Sequence, residues 1–423
     1  MKRIKAIGTL CAALLATVAP AVAETIAITN ARILTVGQAG EFARGTVVIR
    51  DGRIAAVGAD LAIPADAQVI DGQGGVVTPG FVLANGLMGT MDVSQVPSSV
   101  DRAQHAEGLS AAFDLSRGLN PDSILIPVAR LGGITRAVLA PLYDDRAERA
   151  YQFAGQAVAV DLGQRVDMVT RPGVAMVLAL GEQGAERAGG ARGAAIARLR
   201  IALGDVRDYI RHRGAYEQGR TRSYSLSRAD LDALVPVIEG QMPLLIAVDR
   251  ASDILEALKL AREEKLRIIL DGAAEGWRVA SAIARAGIPV ILDARLDLPN
   301  SFAELGARND NATRLHAAGV TIAIKDGEGG HYRARELRYD AGHAVAHGLP
   351  YHAALEAITI NPARIFGLAG HVGSIDVGKD ADVVLWSGDP FEPLSRPRAI
   401  FVKGVAQPLS SRQTQLRDRY IAR

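Results

Sequence analysis

The order of apolar and polar positions divides the chain into three textures. Residues 25–75 read as β-structure, with Ile26-Ala27-Ile28 and Arg32-Ile33-Leu34 as short apolar runs among polar neighbours. Residues 46–50 and 53–58 flank Asp51-Gly52, a pair that tolerates the positive φ angles of a two-residue hairpin turn. Val69-Ile70-Asp71 follows as another short strand. From residue 80 to 360 short apolar runs alternate with helical periodicity. The runs 76–82, 134–140, 157–160, 174–180, 244–248, 268–270, 290–292 and 320–324 predict eight strands, several of them apolar throughout, as strands buried on both faces are. Helical patterns at 252–265, 275–286 and 301–318 separate the later ones, and 351–359 adds a helix after the last. Strand–helix repetition predicts a parallel sheet, and eight units predict a closed barrel. The C-terminal region returns to β at 373–375, 381–386 and 399–402. These strands are expected to pair with the N-terminal ones.

The chain has 423 residues, which suits one large barrel and a satellite domain. The expected class is therefore α/β, a (β/α)8 TIM-like barrel with a small discontinuous β-sandwich. The boundaries read 1–23 for a leader, 24–79 and 371–410 for the two parts of the sandwich, 80–370 for the barrel, and 411–423 for a C-terminal tail, docked as a helix or loose. Hydrophobic residues make up 49% and charged residues 22%, enough apolar surface for a sizeable core. Aromatics are only 4%, which argues against a stacking platform for single-stranded nucleic acid.

The first residues set the expected compartment. Lys2, Arg3 and Lys5 precede an apolar run from Ala6 to Val18, too short to span a bilayer, and Ala21-Val22-Ala23 offers small residues at a cleavage site. The reading is a signal peptide cleaved after Ala23 and a periplasmic or secreted protein. Cys11, the sole cysteine, lies in that leader, so the mature chain would have neither a disulfide framework nor a Cys nucleophile. The leader holds three of the 48 basic residues and no acidic one, leaving 45 basic against 46 acidic residues. No general attraction to nucleic acid or membrane follows. One basic stretch, from Arg192 to Arg222, lies mostly on a long helical pattern and reads as a solvated helix face.

Two segments resemble the amidohydrolase superfamily, most closely its imidazolonepropionase-like members. The first comprises Ile28-Thr29-Asn30-Ala31-Arg32-Ile33-Leu34, Val48-Ile49-Arg50-Asp51-Gly52-Arg53-Ile54 and Val77-Thr78-Pro79-Gly80-Phe81-Val82. The second comprises Ala354-Leu355-Glu356-Ala357-Ile358-Thr359-Ile360-Asn361-Pro362-Ala363-Arg364, Gly373-Ser374-Ile375, Gly378-Lys379-Asp380-Ala381-Asp382-Val383-Val384 and Gly388-Asp389-Pro390. They flank the barrel region. The resemblance implies a composite sandwich, a metal-hydrolase barrel and hydrolysis of carbon–nitrogen bonds outside peptides, with zinc as the usual metal.

At the site positions this sequence departs from the family pattern. Asn85 and Leu87 stand where the resemblance places His-x-His after Pro-Gly. The fifth-strand histidine falls near Ala247 or Asp249, and the sixth-strand one near Asp271. The eighth-strand aspartate is matched by Asp326. Leu87 cannot ligate zinc, and an asparagine carbonyl is a poor substitute for imidazole. The eight histidines are His105, His212, His316, His331, His343, His347, His352 and His371; none ends an expected strand, and His331, in the loop after the eighth, comes nearest.

Strand ends still offer chemistry. Asp249, Asp271, Asp293 and the pair Lys325-Asp326 would share the barrel mouth. Asp249, Asp271 and Asp326 could bind a divalent cation through oxygen, and Asp326 with Lys325 could serve catalysis. The same aspartates equally suit helix caps in short strand–helix loops. Three readings stay open: an altered hydrolase, a catalytically inactive partner subunit of a related active amidohydrolase, and a periplasmic binding protein for a small ligand. A small molecule is the expected ligand in each case, and the barrel class is compatible with homo-oligomers or hetero-oligomers.

Overall fold

The computed structural model describes residues 25–104, 106, 108–143, 152–327 and 332–421. The expected leader with Cys11, as well as His105 and His331, lies outside the described residues.

Five N-terminal strands open the chain: β1 (Thr25–Leu34), β2 (Glu41–Arg50), β3 (Arg53–Gly58), β4 (Gln68–Asp71) and β5 (Val76–Pro79). Three more come from the far end: β14 (Val383–Trp386), β15 (Pro397–Val402) and β16 (Val405–Ala406). They form one sheet in the order β16-β15-β14-β5-β1-β2-β3, with β4 also paired to β1. Ile28, Ile33, Val47 and Ile49 from one end of the chain share a core with Val383, Leu385 and Phe401 from the other. The hairpin between β2 and β3 pairs Arg50 with Arg53 across Asp51 (φ 52°) and Gly52 (φ 75°). Both central residues take positive φ, as the Asp-Gly pair leads one to expect.

The second sheet holds β6 (Phe81–Gly86), β7 (Ile134–Leu139), β8 (Phe153–Asp161), β9 (Val169–Ala179), β10 (Leu244–Val248), β11 (Ile268–Gly272), β12 (Val290–Asp293) and β13 (Ile322–Lys325), in sequence order. β13 returns beside β6, so the sheet is nearly closed. The fold is mixed α/β, a TIM-like barrel with an attached sheet. Two details differ from the sequence expectation. The run 76–82 is two strands, split at Gly80: β5 belongs to the small sheet and β6 to the barrel. A Cβ at Gly80 would lie 2.1 Å from Thr135 Oγ1, so only glycine allows the chain to cross between the sheets here. In addition, β8 is antiparallel to both β7 and β9. A parallel return needs a crossover that carries the chain back to the starting end of the sheet, whereas β8 begins at the end where β7 finishes.

The helices lie outside the barrel. The expected helix 252–265 is Ala251–Glu264, and 275–286 resolves into a 3-10 turn, Gly276–Arg278, followed by Ala280–Ala286. The expected helix 301–318 is likewise two pieces, Phe302–Glu304 and Asn311–Ala317. The basic stretch forms helix Arg192–Glu217, whose arginines largely meet acids: Arg192 with Asp253, Arg207 with Glu264 and Arg213 with Asp232. Among the described residues no helix is long and apolar enough to cross a membrane. The C-terminal helix Arg412–Ile421 buries none of its residues.

A buried ionic cluster joins barrel and small sheet. Arg136 on β7 reaches Asp382 at 2.5 Å and Asp380 at 2.9 Å, with Asp161 at the end of β8 3.9 Å away. Lys403 also bonds Asp161 at 2.9 Å. Burial opposes the Arg136 charge, but the three carboxylates hold its proton affinity above the usual value.

Candidate active site

Period-two alternation decides what faces the barrel lumen. Leu245, Ile269, Ile291 and Ala323 pack together in the interior cluster with Ala84, Val138 and Val177. Two residues further on, each of the last four strands reaches its C-terminal end with a polar or small side chain: Ala247 on β10, with Asp249 just past its end, Asp271 on β11, Asp293 on β12 and Lys325 on β13. Ala247 is level with Asp271, and Asp293 with Lys325. The apolar floor thus passes directly into a charged mouth.

Asp271 is the hub. Its Oδ1 accepts from Lys325 Nζ at 2.6 Å, and its Oδ2 accepts from Asn85 Nδ2 at 2.8 Å. Asn85 comes from the opposite edge of the sequence order, on β6, where an irregularity between Leu83 and Gly86 shifts the register. Burial alone would release the Lys325 proton, but Asp271 first, then Asp249 and Asp293, hold its affinity above the ordinary lysine value. Leu87 is 9% exposed and brings no donor atom.

Asp249 is pushed up to about 6, chiefly by burial, with Glu304 and Asp271 adding repulsion and Lys325 opposing. It accepts the Ala274 N–H at 3.2 Å. It does not cap the helix that follows it; Glu275 accepts the Ala251 N–H there instead. Asp293 accepts the Arg295 N–H two residues on, a loop contact of the kind the cap alternative anticipated. Gly272 lies at φ 100°, and a Cβ there would sit 2.3 Å from Asp249 Oδ1, so the glycine leaves room for the carboxylate.

Asp326 is only 6% exposed, and its Oδ2 has no hydrogen-bond partner among the described residues. Burial, followed by the charge of Asp340, raises its proton affinity well above that of an ordinary carboxyl. Asp340 was not legible as a site residue. It lies in helix Leu337–Ala346, is fully buried, and is raised to about 7 by burial despite the nearby Arg295. Arg295 Nε stands 2.5 Å from Asp340 Oδ1, an ion pair angled too poorly to be a hydrogen bond. The only available signal was an acidic residue in the first turn of an Ala-rich helix, which is common on surfaces.

Residues 251–410 match the profile of the Amidohydrolase family. The imidazolonepropionase of Symbiobacterium thermophilum is 26% identical over 387 residues, covering 81% of this chain and 84% of that protein. The solved amidohydrolase from Thermotoga maritima superimposes with a TM-score of 0.80 at 23% identity, covering 92% of this chain and 100% of the other. The chain is thus similar to amidohydrolases in the profile of its C-terminal part, in sequence over most of its length and in fold. A shorter stretch is 38% identical over 74 residues to the amidohydrolase tasK of Hapsidospora irregularis, 18% of this chain but only 8% of that relative.

The zinc that the resemblance to the amidohydrolase superfamily implies does not fit the residues present. Both oxygens of Asp271 already accept from Asn85 and Lys325, and the Lys325 ammonium already serves the charges of Asp271, Asp249 and Asp293. Among the described residues no three His, Cys, Asp or Glu side chains are grouped to hold a metal ion. Zinc would need imidazole or thiolate donors that Asn85, Leu87 and Ala247 do not supply.

Proposed function

We propose that this amidohydrolase-like protein hydrolyses carbon–nitrogen bonds outside peptides without zinc, using two buried carboxyl groups of raised proton affinity and a fixed ammonium. The observation that carries the reading is that Asp249, pushed up to about 6, and Asp326, also raised well above an ordinary carboxyl, are both buried and both feel the Lys325 charge. Two carboxyls held in different buried environments are suited to serve as base and acid. In this reading the Asp249 carboxylate takes a proton from water as its oxygen adds to the carbonyl carbon. The Lys325 ammonium offsets charge growing on the carbonyl oxygen. The Asp326 carboxyl gives its proton to the leaving nitrogen, the carbon–nitrogen bond breaks, and acid and amine depart. Proton exchange with solvent then restores both groups.

The test is a screen of amides and cyclic ureides with protein purified in chelator. Turnover is expected without metal and is expected to fall about a hundredfold in Asp249→Asn and in Asp326→Asn. A folded protein that turns over nothing, or only after zinc is added, overturns the proposal.

The double commitment of Asp271 favours a second reading, in which the mouth is locked by its own contacts and the chain is an inactive partner of a related, metal-bearing amidohydrolase. Co-purification of such a relative with a catalytically silent chain is the outcome it expects. A mouth rich in carboxylates also suits a cationic small ligand, the binding-protein alternative. In all of these readings the protein acts in the periplasm or outside the cell after cleavage following Ala23; sequencing the mature N-terminus tests this.

A further inference from the structure

At the pole opposite the mouth, around the N-terminal ends of β10 to β13, a cleft of about 1000 Å³ is walled by helices Ala251–Glu264 and Ala280–Ala286. Its charged lining is entirely basic: Lys259, Arg262, Arg267, Arg285 and Arg364, with no Asp or Glu. This is unusual in a chain whose basic and acidic residues nearly balance. The carboxylates that could have neutralised the cleft are used elsewhere. Glu263 and Glu264, on the same helix as Arg262, pair with Arg200 and Arg207 on helix Arg192–Glu217. Lys259 has only a loose contact with Glu256 at 3.8 Å. Arg267 reaches the Gly240 carbonyl and Arg364 the Asn361 side chain, both neutral acceptors. Arg262 and Arg285 make no hydrogen bond or ion pair among the described residues.

Helix polarity accounts for part of this, since Arg262 and Arg285 lie in the last turns of their helices, where a cation offsets the exposed carbonyls. That explains why a cation is present but not why five converge on one concavity with no counter-charge. Leu255, Leu258 and Ile288 line the same cleft, with Ile269 and Ile365 among its most buried lining residues. The cleft therefore offers apolar surface beside its charges, at a volume typical of small-molecule sites.

We infer that this cleft is a second binding site, separate from the barrel mouth, for a small molecule that carries two or more anionic groups and an apolar segment. Guanidinium groups engage phosphate or carboxylate oxygens in pairs, and the leucines take the apolar segment. The inference does not depend on the proposed hydrolysis.

Calorimetric titration of the full chain with inorganic tripolyphosphate and, below its micelle concentration, with dodecyl phosphate tests it. One saturable site is expected for at least one probe at an ionic strength of about 0.15 M, where exposed charges are already screened beyond a Debye length. The double substitution Arg262→Ala/Arg285→Ala is expected to weaken it at least tenfold. Arg220→Ala, an exposed cation outside the cleft, is expected to change it less than twofold, and far-ultraviolet dichroism checks that each variant is folded. The inference is overturned if neither probe saturates, or if binding is indifferent to Arg262 and Arg285.

Discussion

Lys325 Nζ lies 2.6 Å from Asp271 Oδ1, and this contact joins the ends of two barrel strands that are not neighbours, β13 and β11. With Asn85 on the other oxygen, it ties three strands together across the mouth. Lys325→Met should leave Asp271, Asp249 and Asp293 facing one another without a cation. The expected loss is about 1–3 kcal/mol, the range for a hydrogen bond to a charged group whose partner is left buried. Urea unfolding at neutral pH measures it. A double-mutant cycle with Asp271→Asn should recover much of the loss, because the repulsion disappears with the charge. Equal and additive losses would show that the two residues do not act together.

The raised carboxyls give a pH signature with a definite sign. Asp340, at about 7, and Asp249, at about 6, bind protons more tightly folded than unfolded. Their contribution is fully present below the unfolded carboxyl range near pH 4, and is lost as pH rises through 6 and 7. Asp340→Asn removes one of these titrations. Relative to the parent, the variant should gain stability between pH 4 and 7, at up to about 1.4 kcal/mol per pH unit. Melting curves across that window decide the matter, and a constant difference between the two proteins contradicts it.

Gly272 sits at φ 100° with Asp249 Oδ1 where a methyl group would go. Gly272→Ala should cost about 1–3 kcal/mol from backbone strain and should also displace Asp249. If Asp249 is the base of the proposed reaction, turnover should fall together with stability. Loss of stability with unchanged turnover would separate that carboxylate from the chemistry.

Arg136 holds three carboxylates, Asp161, Asp380 and Asp382, at the joint between barrel and small sheet. Arg136→Met should destabilise by about 3–5 kcal/mol, because it leaves buried acids without their central cation. The midpoint of guanidinium unfolding reads this out, and a shift below about 1 kcal/mol would mean that the other cations, Lys403 and Arg165 at Asp161 and Arg53 at Asp380, satisfy the cluster.

The sequence exposed what depends on periodicity and lost what depends on where distant segments meet. Apolar runs such as 244–248 and 290–292 are strands because burial on both faces demands such a pattern, and their last residues placed Asp249 and Asp293 at the mouth. The Asp-Gly turn was readable because its φ angles are a local property. By contrast, the run 157–160 looks the same whichever way β8 travels, so its reversal left no trace in composition. Gly80 could not be seen as the joint between two sheets without knowing that Thr135 crowds it. Asp340 is buried only because its helix packs against the barrel, and nothing within residues 337–346 distinguishes it from a surface acid. Asn85 was noticed for its position, but its bond to Asp271 spans 186 residues of chain.

β14 lies between β5 and β15, so strands from both ends of the polypeptide complete a single sheet. During vectorial synthesis the N-terminal strands emerge first, yet the edge of β5 has no partner until residue 383 and beyond have left the ribosome. An unpaired edge is open to pairing with a strand from another chain. Premature termination anywhere in the barrel would therefore yield not a smaller folded unit but a chain with an exposed β edge. Residues 383–406 thus decide when the small sheet can close, because without them the edge of β5 stays open.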